Sequence, residues 1–462
     1  MNLTGLSRVH FDCDSSTIAR ARTEREHRAR ARRRSGARAS VSCLFSVHSR
    51  RQELEMQRLS CRISRGLATR RAYSTAAARV TKFGGTSVAG SSQIEEVMGL
   101  LRADESRKFT VVSAPGKRHD DDIKVTDLLY KCHDLAASSG SSGSADYEAF
   151  FDDNVGARYR EIASTLGASS SAELNADLEA AKGKIYDMAT RGDSPDFAAS
   201  RGEALCGRLV ADLLGWEFVD PASGSFIQFR ADGTFDGERT ADAVRGVLAD
   251  LGSKPAVIPG FYGSNPANPS GVQTFSRGGS DVTGSIVAAG AMTGSTYNSV
   301  IYENWTDVNG VFSADPRQVS TARSLAFLSY TELQHMASAG ANVLHADAVA
   351  PSAEAAVPIN IRNTKNTTHP GTLIVHDEDS RAQRAADEQV VGLTTPGDGK
   401  VVVVCTTKDH TAAISELISA QTTAASVTVA ADEEPTIEVN GTSAAAVYDA
   451  IDTAGLFVQQ QD

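Results

Sequence analysis

The segment RVTKFGGTSVAGSSQIEEVMGLLR, residues 79–102, decides the fold class of this chain. It opens with a short β-rich run, Arg79–Phe83, which ends at Gly84–Gly85. Beyond this turn, apolar side chains recur at helical spacing from Ile94 to Leu101. A strand, a glycine turn and an amphipathic helix in this order predict an α/β unit.

The same alternation of strand-like and helix-like segments continues to residue 376. Further strands are predicted at FTVVSA, PAVIPGF, NSVIYEN and VPINIRN, and further helices at VTDLLYKCHDLA and RGEALCGRLVADLLG. Such alternation predicts a mainly parallel open sheet with helices on both faces. We therefore assign one α/β domain to residues 80–376. Residues 138–200, rich in Ser and Asp, are interpreted as a lid-like helical insertion.

A second, smaller domain is predicted at the C-terminus. Residues 377–389 are polar and charged, which favours a linker. Residues 390–462 then read as strand KVVVVCTT, helix, strands ASVTVA and TIEVNG, helix, and strand LFVQQ. This βαββαβ order is typical of a small ferredoxin-like domain.

Composition limits the classes of function. The 462 residues are 41% hydrophobic and 22% charged, as in an ordinary globular protein, and no long uncharged apolar run predicts a membrane span. Residues 80–462 carry a net charge of −23, which argues against a nucleic-acid surface. The six cysteines are scattered without a CxxC pair, so neither a metal site nor a disulfide framework is predicted.

Residues 1–79 differ sharply from the rest of the chain. They contain 18 arginines against six acidic residues, and the part from Met56 has arginines and no acid at all. An acid-poor segment rich in Arg, Ser and Ala is typical of a transit peptide, so we expect a mitochondrial protein, with the plastid as second choice. The alternative is a mis-extended N-terminus without a targeting role, which would leave the protein in the cytoplasm.

Two glycine turns are candidate anion sites. Gly84–Gly85 follows a strand and precedes a helix, so backbone N–H groups converge there, with Lys82 as the nearby cation. The segment FSRGGSDVTG repeats the design with Arg277, two glycines, Ser280 and Asp281. The first turn does not match a P-loop, and a plain glycine turn is the alternative interpretation for it. Together, two such turns suit a substrate that carries both a phosphate and a carboxylate.

Seven blocks between Lys82 and Thr364 resemble, in order, those of aspartate kinases: KFGGTSVA, VVSAPGKRHDDDIKVTDLL, SRGEAL, VIPGFYGS, TFSRGGSDVTGSIVA, YENWTDVNGVFSADPRQV and GANVLHADAV with VPINIRNT. The resemblance implies the amino-acid-kinase fold, an open αβα sandwich. It also implies transfer of the γ-phosphoryl group of ATP, with Mg²⁺ carried on the nucleotide, to the side-chain carboxylate of L-aspartate. The product would be 4-phospho-L-aspartate, the first step towards lysine, threonine and methionine.

The resemblance also implies residue roles. Lys82 and Asp281 match the catalytic pair. On the substrate side, Glu203 would bind the ammonium and Arg277 the α-carboxylate, together with Thr126 and Ser280. The positions matching nucleotide-binding residues are Lys82, Gly84, Gly85, Ser87, Thr306, Asp307, Phe312, Arg317, Asn342 and Val343.

Three points depart from this family pattern or remain open. Phe312 stands where many relatives have tyrosine, and Asn342 where many have lysine. From its position alone, Glu203 would be a first-turn helix charge favoured by the helix dipole. The C-terminal domain resembles one ACT module where aspartate kinases usually carry two, and such modules imply a homodimer or higher homo-oligomer.

Two alternatives to an aspartate kinase stay open. Another carboxylate kinase of the same fold, such as an acetylglutamate kinase, would not need Glu203, because an acetylated amine carries no charge. A catalytically silent, ACT-containing amino-acid sensor would not need to keep Lys82 and Asp281.

Overall fold

The computed structural model describes residues 78–139, 144–168, 172–276, 278–294, 296–341, 344, 346–385, 387–397, 399–431, 434–458 and 460–461. The leader predicted at 1–79 lies outside this part, except that Ala78 and Arg79 already belong to the first strand. Within the described residues, no helix is both long and apolar enough to cross a bilayer.

The larger domain alternates strands and helices. Its strands are β1 Ala78–Phe83, β2 Arg107–Val112, β3 Glu217–Phe218, β4 Ala256–Pro259, β5 Tyr262–Ser264, β6 Val272–Thr274, β7 Val300–Thr306, β8 Ser324–Leu325, β9 Phe327–Ser329, β10 Ile359–Asn363 and β11 Thr372–Val375. Its helices are α1 Ser91–Arg102, α2 Val125–Ser138, α3 Ser144–Phe150, α4 Ala157–Thr165, α5 Ala172–Thr190, α6 Asp196–Leu214, α7 Gly237–Leu251, α8 Gly279–Thr293, α9 Tyr330–Ser338 and α10 Ala346–Glu354.

An eight-stranded sheet forms the centre of this domain, in the order β3-β4-β2-β1-β7-β10-β11-β9. Neighbouring strands from β3 to β10 are parallel, and only the β10–β11 step is antiparallel. The predicted mainly parallel open sheet is therefore confirmed. Because parallel strands share a direction, the carboxyl ends of β1, β2, β4, β7 and β10 meet at one edge, where ligands bind in open α/β sheets.

Helices cover both faces of the sheet. Alternation along β1 sends Phe83 into a core cluster with residues of α1, α2 and α6, and Val80 into another with residues of α7, α8 and α10. The strands read as continuous apolar runs because both of their faces are buried. The observed architecture is thus the predicted αβα sandwich.

The segment predicted as a lid-like insertion is helical but packs as part of the core. Tyr147, Phe151 and Tyr159 from this segment are fully buried in the same cluster as Phe83. The aromatic side chains lie among the Ser and Asp residues that made the segment look exposed. Its end was also misplaced, because α6 already begins at Asp196.

One buried carboxylate joins four strands on the α1 face of the sheet. Glu303 is fully buried, and its carboxylate lies 2.7 Å from Arg79 and 2.8 Å from Arg107, with Arg362 at 3.6 Å. Trp305 Nε1 donates to the same group at 3.1 Å. Burial opposes ionisation of Glu303, but the three guanidinium groups outweigh it and lower the pKa of this carboxyl.

The C-terminal domain contains a four-stranded antiparallel sheet and two helices. Its elements are β12 Val390–Gly397, β13 Lys400–Cys405, α12 Thr411–Gln421, β14 Ser426–Val429, β15 Thr436–Asn440 and α13 Ala444–Thr453, with strand order β12-β13-β15-β14. This content agrees with the predicted ferredoxin-like class. The two faces of β13 pack differently: Val403 lies in the core of the C-terminal domain and Val404 in a core of the larger domain.

The edge strand beside β13 differs from the prediction. The predicted βαββαβ order had no strand before KVVVVCTT, but β12 precedes β13 in the chain and pairs along its edge. Phe457 forms only an isolated bridge with Val390. The final strand, β16 Gln460–Gln461, pairs instead with β8 of the larger domain. The apolar run at the start of β12 competes for the edge, and the prediction overlooked it.

The segment 377–389, predicted as a linker, is not an open linker. It begins with a helix, α11 Asp377–Gln383, whose first turn is acidic as a helix N-terminus favours. The Thr331 hydroxyl donates to Asp377 at 2.6 Å, and Arg384 forms an ion pair with Glu332. The segment is therefore held against α9 of the larger domain.

Candidate active site

An ammonium and a carboxylate lie in contact at the carboxyl edge of the large sheet. Nζ of Lys82 is 2.7 Å from Oδ1 of Asp281, and Asn304 Nδ2 donates to the same oxygen at 2.7 Å. The Tyr302 hydroxyl donates to the main-chain oxygen of Asp281 at 3.1 Å. The register of β1 and β7 aligns Lys82 with Asn304. The structure thus brings the two predicted catalytic residues together beside the N-terminus of α8.

The first glycine turn lies directly against this lysine. A Cβ at Gly84 would lie 3.4 Å from Lys82 Nζ, so a larger side chain would cover the ammonium. A Cβ at Gly85 would lie 2.9 Å from the main-chain oxygen of Ala114, closer than real Cβ atoms approach. The N–H of Gly116 donates to the Gly85 oxygen at 2.8 Å. The glycines allow the turn after β1 to pack against the segment after β2 and leave space beside the Lys82 ammonium.

A buried arginine from α4 holds these two segments in position. The Arg158 guanidinium, 3% exposed, donates to the main-chain oxygens of Ala89, Gly116 and Ile123 and lies 3.2 Å from the Asp122 carboxylate. Burial lowers the pKa of Arg158, although Asp122 opposes this shift. Sequence analysis missed Arg158, because nothing in an arginine on an amphipathic helix shows that it reaches three carbonyls distant in the chain.

The second glycine turn opens α8. Gly278 has φ 58°, a left-handed conformation that favours glycine, and it precedes Ser280 and Asp281 in the first turn of the helix. Ser280 is buried against Gly260, where a Cβ would lie 2.5 Å from the serine hydroxyl oxygen. This close approach connects the end of β4 to the start of α8. Arg277, predicted to bind the α-carboxylate of the substrate, lies outside the described residues.

Glu203 is a buried carboxyl group with an unsatisfied oxygen. The residue is 5% exposed, and its Oε2 has no hydrogen-bond partner among the described residues. Burial raises the pKa of Glu203 to about 8, although hydrogen bonds from backbone N–H groups, chiefly that of Ala114, act in the opposite direction. Glu203 lies in the middle of α6, so its interpretation as a first-turn helix charge is wrong. A buried acid of this kind favours a cationic partner.

Close packing around Gly202 brings Thr126, another predicted substrate residue, into the region of Glu203. A Cβ at Gly202 would lie 2.7 Å from that of Ala114 and 3.4 Å from a methyl group of Leu129. Helices α2 and α6 therefore meet at the end of β2. Thr126, half-buried in the first turn of α2, belongs to this contact region, as does Glu203.

The predicted nucleotide residues Thr306 and Asp307 lie at the carboxyl end of β7. The Thr306 main-chain oxygen accepts from both the N–H and the hydroxyl of Thr364, at 2.9 and 3.1 Å. The Thr364 hydroxyl is also 3.3 Å from that of Ser87, in the first glycine turn. Asp307 is exposed. These contacts join the ends of β7 and β10 to the turn after β1.

The remaining predicted nucleotide residues are less closely tied to this edge. Phe312 is half-buried and bridges to Ser324. Arg317 has an 88% exposed side chain and forms an ion pair with Asp315 at 2.6 Å. Asn342 and Val343 lie outside the described residues.

Phe261 is a second residue near the site that sequence analysis missed. It has φ 80°, a conformation that bulky residues rarely adopt. Its N–H donates to the Thr283 hydroxyl at 3.2 Å, and its ring leaves no room for a side chain at Gly279. Strain of this kind is characteristic of functional sites. The sequence PGFYG contained a signal for it, because phenylalanine, and not glycine, occupies the turn position after Gly260.

This fold and site define a class of protein. A parallel sheet carries two glycine turns, a lysine–aspartate pair and a helix N-terminus at one edge, and the profile of the amino acid kinase family matches residues 78–363. The chain belongs to the amino acid kinase family.

Within this family, the proteins similar to this chain include aspartokinases. Aspartokinase 3 of Bacillus subtilis (strain 168) is 32% identical over 315 residues, which cover 65% of this chain and 64% of that protein. A bifunctional aspartokinase/homoserine dehydrogenase 1 of Arabidopsis thaliana is 30% identical over 68% of this chain and 34% of its own length. This chain therefore spans less than two thirds of either relative.

Solved structures agree with this similarity. Aspartate kinase of Clostridium acetobutylicum superposes with a TM-score of 0.59, 33% identity and coverage of 82% of both chains. Escherichia coli aspartokinase III, in complex with aspartate and ADP, superposes with a TM-score of 0.56 at 21% identity over 80% of both chains. The second comparison shows a shared fold.

Proposed function

We propose that this protein is an aspartate kinase, which transfers the γ-phosphoryl group of ATP to the side-chain carboxylate of L-aspartate and forms 4-phospho-L-aspartate. The observation that carries the proposal is the buried Glu203 carboxyl, whose Oε2 is unpaired within the part of the chain that the structure describes. A free amino acid supplies the missing ammonium, whereas an N-acetylated acceptor does not. The 33% identity to an aspartate kinase over 82% of the chain supports the same substrate.

Phosphoryl transfer needs positive charge and positioning more than covalent chemistry. Lys82 supplies the charge, and its contact with Asp281 at 2.7 Å fixes the ammonium between the first glycine turn and α8. The N-terminus of α8 and the backbone N–H groups of the turns add partial positive charge. Together these groups stabilise the charge on the transferring phosphoryl group and reduce the repulsion between two anionic reactants.

Nucleotide binding is assigned to the ends of β1 and β7. Ser87, Thr306 and Thr364 form a small hydroxyl and carbonyl cluster beside the first glycine turn. Mg²⁺ would be held mainly by the phosphates of ATP, as in many kinases. The described residues contain no group of three or more His, Cys, Asp or Glu side chains arranged to hold a metal.

Hydroxylamine trapping tests the proposed reaction. The full chain is incubated with ATP, Mg²⁺ and L-aspartate, and the acyl phosphate is captured as a hydroxamate. N-acetyl-L-glutamate and L-glutamate are run in parallel under the same conditions. Hydroxamate from aspartate alone is the expected result. Hydroxamate only from the acetylated acceptor would identify a different carboxylate kinase, and none from any acceptor would favour the silent sensor.

Two further properties belong to the same proposal. The C-terminal domain is assigned as a single ACT-like module through which two or more copies associate, and light scattering after size exclusion measures their number. A monomer at micromolar concentration would contradict this assembly. We assign the protein to an organelle, first the mitochondrion and then the plastid, on the basis of the arginine-rich leader.

A further inference from the structure

The loop between β7 and β8 links the candidate nucleotide site to the C-terminal domain. This segment, Asp307–Arg323, is called the nucleotide loop here because it follows Thr306 and carries Phe312 and Arg317. Its two arms pair with each other: the N–H of Ser313 donates to the Arg323 oxygen at 2.9 Å. The loop therefore forms one hairpin-like unit.

The side chains at the far part of the nucleotide loop belong to the C-terminal core. Ala314 and Val319 are 2% and 1% exposed, and both lie in the apolar cluster that contains Leu393 and Tyr448. Loop side chains in a neighbouring domain's core are held by the same burial that stabilises that domain. The position of the loop therefore depends on the C-terminal domain.

Polar contacts fix the same loop at several points. The Tyr448 hydroxyl, on α13, lies 3.1 Å from the Ser313 hydroxyl and donates to the Thr321 oxygen at 3.4 Å. The N–H of Leu393, on β12, donates to the Ser313 oxygen at 2.8 Å. Ser313 is fully buried, so these contacts are shielded from water and their loss is costly.

Strand β12 approaches the nucleotide loop so closely at Gly392 that no side chain fits at this position. A Cβ at Gly392 would lie 2.7 Å from the main-chain oxygen of Ser313. Beyond it, Gln318 Nε2 donates to the Thr395 hydroxyl at 2.6 Å, and the Thr394 hydroxyl donates to the Ala339 oxygen at the end of α9. Strand β12 thus bridges the nucleotide loop and the larger domain.

We infer that Tyr448 and Gly392 are positioning residues for the nucleotide, through which the C-terminal domain sets nucleotide affinity without setting aspartate affinity. This inference rests on the proposed kinase function. The difference between nucleotide and aspartate affinity follows from the geometry, because the groups described around Glu203 belong to α2, α6 and the end of β2. The nucleotide loop, in contrast, is held by α13 and β12.

Two conservative substitutions test the positioning role in the full chain. Tyr448→Phe removes the hydroxyl and keeps the ring that packs on Phe457 at 4.6 Å. The matched control is Tyr147→Phe, because Tyr147 is equally buried and its hydroxyl donates to the Lys182 oxygen at 2.6 Å within the α3–α5 layer. Gly392→Ala is the second probe, since its added methyl group would push against Ser313.

The measurements are the Kd of a fluorescent N-methylanthraniloyl-ADP without aspartate, the KM for aspartate at saturating ATP, and the thermal midpoint. Loss of the Tyr448 hydroxyl should raise the nucleotide Kd about fivefold, the equivalent of one buried hydrogen bond. Gly392→Ala should raise it about tenfold, as moderate overpacking does. The KM for aspartate should change less than twofold, and Tyr147→Phe should lower the thermal midpoint without changing the nucleotide Kd.

The outcomes separate this inference from the proposed function. If the wild-type chain binds the fluorescent nucleotide and Tyr448→Phe binds it equally well, the positioning role is refuted and the kinase proposal stands. If the KM for aspartate rises as much as the nucleotide Kd, the asymmetry is refuted. If the wild-type chain binds no nucleotide, the proposed function itself is overturned, and the positioning role with it.

Discussion

Replacing Glu203 with glutamine should raise the free energy of unfolding and lower the use of aspartate, and the gain in stability should grow with pH. In the folded protein, burial raises the pKa of Glu203 from 4.5 to about 8. The unfolded chain loses this proton near the ordinary pKa, so between these two values the folded state binds more protons. The free energy of unfolding contributed by this group therefore falls as pH rises from about 4.5 to about 8.

The magnitude follows from the size of the pKa shift. One pKa unit corresponds to about 1.4 kcal/mol. The contribution of Glu203 to the free energy of unfolding of the wild type should therefore be roughly 4 kcal/mol lower at pH 8 than at pH 4. Glutamine has nearly the same shape and does not titrate. Glu203→Gln should therefore match the wild type in stability near pH 4.5 and exceed it by a few kcal/mol at pH 8, while its use of aspartate falls sharply.

Urea unfolding of both proteins across pH 4.5 to 8, without substrates, measures this difference directly. All other titrating groups are common to the two chains, so their contributions cancel in the comparison. A stability difference that stays constant with pH would refute the raised pKa. A parallel measurement of kcat/KM for aspartate should rise with pH in the wild type as Glu203 ionises, and an equal rise in Glu203→Gln would refute its role as the partner of the ammonium.

Three further predictions concern the phosphate site, the sheet and the leader. Lys82→Ala should lower kcat in the hydroxamate assay by about 10²–10³-fold, because the transferring phosphoryl group loses its counter-charge; a kcat within a few fold of wild type would contradict the assigned role. Glu303→Gln should lower the free energy of unfolding at pH 7 by about 3–5 kcal/mol, because buried arginines lose their carboxylate. The loss should be smaller as pH falls towards the lowered pKa of Glu303. An unchanged urea midpoint at pH 7 would argue against the buried cluster. A fluorescent reporter behind residues 56–79 should enter mitochondria more efficiently than one behind the whole leader, which adds acidic residues such as Glu53 and Glu55; cytosolic fluorescence from both would leave the mis-extended N-terminus.

Local patterns predicted most of the larger domain correctly. The strand, glycine turn and helix at residues 79–102 gave the fold class, because apolar periodicity and turn glycines are local properties of the chain. Lys82 and Asp281 lie in the two glycine turns predicted as anion sites, and the resemblance to aspartate kinases implied their catalytic roles. Their contact across 199 positions is a property of strand order, which no local pattern contains.

The residues that sequence analysis missed act through distant main-chain groups. Arg158 contacts carbonyl groups 35 to 69 positions away, and its neighbours in α4 give no sign of this role. The strained Phe261 depends on the space left by Gly279. The sequence also missed strand β12, which pairs with β13, and did not show that the final strand pairs with β8, because tertiary packing decides which segments pair at an edge.

The buried tip of the nucleotide loop affects how this chain can be divided or recombined. Ala314 and Val319 complete a core that is otherwise built from residues after 389. A chimera joined near residue 389 would separate that core from two of its own side chains and expose apolar surface in both halves. A successful exchange of the C-terminal domain with a relative would have to include residues 311–325. The structural unit that must be exchanged is therefore discontinuous in sequence although it is continuous in space.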